Sequence, residues 1–223
     1  MATRQLLAEL AAAFENQSGC VVSFESVGGV DAVKRIQGAE VFDLAVLGSD
    51  AIDKLMASGD ICADSKRDLV RSGVAVAVRA GAALPDISSE DAVRLAVRAA
   101  RSISYSTGPS GVALAKLFQR WGIADEIQSR LVQAPPGVPV ATLLASGQVE
   151  LGFQQLSELL HVDGVTVVGP LPPAIQITTT FSAGVPTRAS ADSSTAEQVR
   201  ALLDFMTSPQ TAAAKRRQGM EPT

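Results

Sequence analysis

Short apolar runs alternate along the chain with stretches in which apolar residues recur every three or four positions. Leu6, Leu7, Leu10, Ala13 and Phe14 share one helical face and Gly19 supplies a stop, which predicts a helix ending there. "CVVSFES" (20–26) reads as a buried strand, and "VGGVDAVKRIQGAE" as a turn and helix. "FDLAVLGSD" (42–50) predicts the next strand, and "DAIDKLMASGD" (50–60) a short helix with Asp50 as N-cap and Gly59 as stop. "RSGVAVAVRAG" (71–81) alternates Val with Ala, as a long strand would. A helix over 89–100 capped by Ser89, a strand over 102–106 and a helix in "GPSGVALAKLFQRWG" follow. Then come a short strand within 129–136, a helix over 138–148, a strand over 150–155 and a short helix over 156–162. Two extended stretches, "VTVVGPLP" and "IQITTTFSAGV", precede two helical segments within 195–219. Such alternation predicts an α/β protein with parallel sheets.

Composition narrows the function classes. Apolar residues are 47% of the chain and charged ones 19%, so a substantial core is expected. The formal charge of −4 lacks the basic excess of a nucleic-acid binder. Cys20 and Cys62 lack metal-ligand spacing and read as small buried hydrophobes, with a disulfide open to them only in an exported protein. His161 is the lone histidine, so no metal site is expected, and its place at a helix end suits a structural role. Neither a phosphate loop, a GxGxxG fingerprint nor a GxSxG elbow occurs, so no cofactor and no catalytic set are assigned. No apolar run approaches the ~18 residues of a membrane span. The N-terminal stretch reads as an amphipathic helix and not a signal peptide; the chain is cytoplasmic as it stands, periplasmic if a signal peptide has been removed.

Candidate chemistry gathers in the turns. Ligands of open α/β sheets bind beyond the carboxyl ends of strands. Four strand-to-helix turns carry hydroxyls, glycines or amides: "ESVGG" (25–29), "LGSDA" (47–51), "YSTGPSG" (105–111) and "FQQLSE" (153–158). Each is explained most simply as a helix cap. "SVGG" and "STGPSG" hold more than a cap needs, because paired glycines allow close backbone approach and hydroxyls bond an anion without charge. The candidate ligand contacts are Ser26, Gly28, Ser49, Ser106, Thr107, Ser110, Gly111, Gln154 and Gln155. Arg71, at the start of the long strand, suits a carboxylate or phosphate, or else is a solvated strand-edge arginine. Glu25 and Asp31 flank "SVGG" without an obvious partner, and Glu158 and Asp163 read as surface charges near His161.

In order along the chain, "LLAELAAAFENQSGCVVSFESVGG", "VFDLAVLGSDAIDKLMASGDI", "DLVRSGVAVAVRAG", "ISYSTGPSGVALAKLFQRWGI", "TLLASGQVELGFQQLSEL", "VGPLPPAIQITTTFSAGV" and "FMTSPQTAAAKRRQGMEP" resemble the molybdate-binding, type II periplasmic solute-binding proteins. The resemblance implies two Rossmann-like α/β lobes with an anion held between them. Lobe one would be 1–72 with 184–223 and lobe two 77–178, with crossings near 72–78 and 178–184. It further implies an ABC permease as partner. Ser26 matches an oxyanion-binding turn, and "APPGVPVATLL" matches a helix start whose amides near Val140 face the ligand. Members of the family usually begin with a strand and a serine turn, whereas this chain begins inside the first helix. Molybdate sites use neutral donors; Arg71 and the glutamine pair suggest an organic acid instead. Some similar proteins isomerise small tricarboxylates, and here Glu25 and Glu158 are the available carboxylates.

Overall fold

A computed structural model describes residues 1–38, 40–135, 137–189 and 192–223. The chain forms two compact units, residues 1–72 with 179–223 and residues 73–178.

In the first unit, helix α1 (Arg4–Ser18) ends on Gly19, whose φ of 72° is the left-handed turn that glycine adopts without cost. Helix α2 (Gly29–Gln37), strand β1 (Ala45–Gly48) and helix α3 (Ser49–Ala57) follow. Strand β2 (Arg67–Arg79) carries the chain from this unit into the next, and β7 (Thr178–Gly184) brings it back. Helices α9 (Ser193–Thr207) and α10 (Ala212–Arg217) and strand β8 (Met220–Pro222) complete the unit. β1 pairs antiparallel with β7, β7 neighbours β2, and β8 pairs antiparallel with β2. Leu6, Leu7, Leu10 and Phe14 of α1 pack on Leu69, Val70, Leu202 and Met206, while Ile36, Leu47, Ile52 and Leu55 form a second cluster.

The second unit holds α4 (Glu90–Ala99), β3 (Ile103–Tyr105), α5 (Pro109–Arg120), α6 (Ala124–Ile127) and β4 (Leu131–Gln133). Then come α7 (Val140–Ala145), β5 (Leu151–Gln155), α8 (Leu156–Leu159) and β6 (Val165–Pro170). Its sheet runs β6, β2, β5, β3, β4. The Val/Ala alternation of β2 has a direct packing meaning. Val74, Val76 and Val78 face the core with Phe118 and Phe153, each buried aliphatic contributing ~1.5–3 kcal/mol. Ala75 and Ala77 face α7, where small side chains let the helix lie close.

Several expectations are corrected. The sheets are mixed: β3 is parallel to β4 and β5, but β2 runs antiparallel to β5, β6 and β8. Segment 20–26 forms no ladder with a described strand, yet it keeps strand-like alternation. Val22 and Phe24 pack on the core while Val21 is 86% exposed. Asp50 is not the N-cap of α3; Gly48 is, and Asp50 sits in the first turn. Cys62 is exposed and Cys20 half-buried, and both are free thiols, so neither is a core hydrophobe.

Candidate functional site

Most of the candidate residues sit where a helix begins, and among the described helices only α4 and α9 have a side-chain cap. α4 and α9 begin in the ordinary way. Ser89 Oγ accepts from the Ala92 amide at 3.2 Å, and the Asp192 carboxylate from the Thr195 amide at 3.1 Å. α2, α3 and α5 begin instead after Gly28, Gly48 and Gly108, and no side chain caps any of them. The first turn of a helix leaves amides without intrahelical partners and carries about half a positive charge, so an uncapped start favours an anion.

The start of α5 is the most constrained. Pro109 takes the first helical position, and the Gly111 and Val112 amides turn to the Gly108 carbonyl at 3.0 and 3.1 Å. The Ser106 and Ser110 hydroxyls stand 3.4 Å apart across the turn, so they bond each other and not the helix end. Ser110 is buried, Ser106 half-buried and Thr107 exposed. A Cβ at Gly111 would lie 1.8 Å from the Ser106 carbonyl oxygen, so only glycine fits where the helix backbone closes on the loop.

The neighbouring strand end brings the two glutamines alongside. Parallel pairing sets Ser104 opposite Gly152 and Tyr105 opposite Phe153, which places Gln154 level with Ser106. Gln154 shares the face of Gly152, since side chains alternate along a strand. On that face, α7 rests against Gly152: an added Cβ would meet Leu144 at 2.7 Å and Val140 at 2.8 Å. The Val140 side chain is fully buried there, which leaves only its backbone to meet a ligand. Pro136, in the turn before α7, lies outside the described residues.

Glu158, in α8, proves more than a surface charge. It is half-buried, and burial raises its pKa above the ordinary 4.5, while a hydrogen bond from the Gln154 side chain works in the opposite direction. The spacing of four residues in "QQLSE", from strand end into helix, was the available signal for this pair. The sequence reading also missed Ser104 and Ser157. Both are buried, and their hydroxyls, like the Gln154 carbonyl oxygen, have no protein partner among the described residues.

In the first unit, Ser26 and Gly28 precede α2 and are half-buried, and Ser49 opens α3. Arg71 is an exposed β2 residue opposite Glu221 of β8. Glu25 has a partner after all: Arg35 binds it at 2.8 Å and holds its carboxyl below the usual range. Arg35 also pairs with Glu40 at 2.7 Å and covers the Phe42 ring, so Glu25 belongs to an exposed charge cluster. His161 is exposed, with a φ of 59° just beyond α8. Among the described residues no group of three or more His, Cys, Asp and Glu could hold a metal ion, and no helix is long and apolar enough to cross a membrane.

A family model of bacterial extracellular solute-binding proteins matches residues 1–221. The chain is 36% identical over 220 residues to aconitate isomerase from a Pseudomonas species, covering 96% of this chain and 82% of that protein. It is similar in fold to the periplasmic molybdate-binding protein of Azotobacter vinelandii, with a TM-score of 0.80, 23% identity, and 100% and 96% of the two chains covered. PEB3 from Campylobacter jejuni gives a TM-score of 0.71 at 13% identity, over 100% of this chain and 96% of that one.

Proposed function

The chain belongs to the bacterial extracellular solute-binding protein family, and from that premise we propose that it captures a small carboxylate-bearing anion in the periplasm for an ABC permease. The observation that carries this reading is the start of α5. Its hydroxyls are not spent on capping, its glycine permits a single tight conformation, and its donors are uncharged. Ser106, Thr107, Ser110 and Gly111 form the cradle in the second unit, with the α7 backbone at Val140 and the two glutamines beside it. The 36% identical relative is named for its action on aconitate, a tricarboxylate, which favours an organic acid over molybdate. The first unit has candidates of its own: Ser26, Gly28 and Ser49 lie at uncapped helix starts, and Arg71, exposed on its strand, is the weakest of them.

Thermal unfolding with molybdate, sulfate, citrate, aconitate, malate and succinate tests the reading. A ligand at 100 times its Kd stabilises by about 2.7 kcal/mol. A saturable rise in Tm with a di- or tricarboxylate supports it. A rise with molybdate alone overturns it.

One observation favours a second reading, an isomerase of a small di- or tricarboxylic acid. Burial raises the Glu158 pKa above the ordinary 4.5, the direction that makes a carboxylate a stronger general base. As base, its carboxylate would take a proton from the carbon next to the carbon–carbon double bond. The electron pair would move the double bond one position along, and the proton would return at the far carbon. Exchange of the acidic proton with deuterated water, followed by NMR, decides the matter. Exchange that disappears in Glu158→Gln and persists in Glu25→Gln supports the second reading, and binding without exchange in the wild type removes it.

A further inference from the structure

The Gln154 side chain is 3% exposed and has two distinguishable ends. Its amide nitrogen can only donate hydrogen bonds and its carbonyl oxygen can only accept them. The carbonyl oxygen is buried and has no protein donor among the described residues. A buried acceptor left unmatched is costly, whereas matching it with a donor recovers that cost. The residue sits near the carboxyl end of β5, level with Ser106 of the cradle. Ser104, two residues back from Ser106 on the neighbouring strand, and Ser157, beside Glu158, contribute further buried hydroxyls without partners.

The set therefore asks two things of a ligand: oxygens that accept from hydroxyls and amides, and one group that donates to Gln154. We infer that Gln154 is a specificity determinant that selects anions carrying their own O–H. This inference rests on the carboxylate reading above and narrows it to hydroxy acids, so it sets the selectivity of this chain apart from that of the relative named for aconitate, an acid without a hydroxyl. A fully ionised oxyanion such as molybdate, or a fully ionised acid without a hydroxyl, leaves the Gln154 oxygen unmatched.

Matched ligand pairs test this without requiring any variant to fold. Calorimetric titration at pH 8 would compare citrate with tricarballylate, and malate with succinate; each pair differs by one hydroxyl. The expected result is binding of the hydroxy acid about tenfold tighter or more in the pair that fits the site. Gln154→Leu removes the acceptor and should bring that ratio close to one, chiefly by weakening the hydroxy acid. Equal affinities for both members of a pair in the wild-type protein overturn the inference while leaving the carboxylate reading intact. A ratio that survives Gln154→Leu moves the selection to another residue and equally overturns it. Binding of aconitate with none of these four acids overturns the inference and leaves the carboxylate reading, and failure of all five overturns both.

Discussion

The starts of α4 and α5 lie in the same unit and on the same face of its sheet, and they solve the helix-end problem in opposite ways. At α4, Ser89 folds its hydroxyl back onto the Ala92 amide and closes the first turn. At α5, two serines and a threonine surround the first turn, yet none caps it. The serine hydroxyls meet each other instead, and Gly111 brings the helix backbone to within van der Waals overlap of anything larger than hydrogen. A hydroxyl beside a helix start is thus no evidence for a cap. What separates the two is the residue at the N-cap itself, serine in one and glycine in the other. Ser89 serves the stability of its own helix, whereas Ser106 and Ser110 are spent on each other and not on the helix end.

The sharpest way to break the contrast is Gly111→Ala. With the Ser106 carbonyl 1.8 Å from the new methyl, α5 must shift. We expect a loss of about 3 kcal/mol or more in chemical denaturation, together with loss of ligand binding. A fully stable Gly111→Ala protein would show that the close approach is dispensable.

Next in size is the double variant Ser106→Ala with Ser110→Ala. Removing two neutral donors should weaken the bound anion about tenfold, while the melting temperature without ligand moves by only a degree or two. Ser89→Ala should do the reverse, with about 1 kcal/mol of stability lost and affinity unchanged. If the serine pair lowers stability as much as Ser89→Ala and leaves affinity alone, the two starts do the same job.

The smallest effect is read in pH. Burial raises the folded-state pKa of Glu158 above 4.5, so the folded protein holds this proton more tightly than the unfolded chain does. Its contribution to stability is therefore complete below about 4.5 and is lost as pH rises through the folded value. Subtracting the Glu158→Gln stability profile from the wild-type profile should leave a curve that falls with rising pH above that point. A rising curve would mean that Glu158 is stabilised as a carboxylate.

The order of elements was legible in the sequence because it rests on local signals. Gly19 ends α1, Ser89 caps α4, and the Val/Ala alternation over 71–81 marks the β2 strand that passes from one unit to the other. Strand direction was not legible: the periodicity of β2 is the same whether it runs with or against β5. Segment 20–26 shows another limit. Alternation reports which side chains face a core, and Val22 and Phe24 do so, but a ladder also needs a neighbouring backbone. Among the site residues, the glycine and serine content of 106–111 was visible, and its use was not, because capping and ligand binding employ the same residue types. Glu158 and Glu25 illustrate the loss of information most clearly. Both read as lone carboxylates, but Arg35, ten residues on, neutralises Glu25 in the open, while Glu158 folds against Gln154 in a half-buried place. Only tertiary structure separates those environments.

Backbone amide NMR during a titration with citrate separates a ligand-binding helix start from a capped one. The Ser110 and Gly111 amides should shift in a saturable manner with a common Kd, while the Ala92 and Thr195 amides at the capped helix starts stay in place. Saturation by citrate with Ser110 and Gly111 unmoved would contradict that separation.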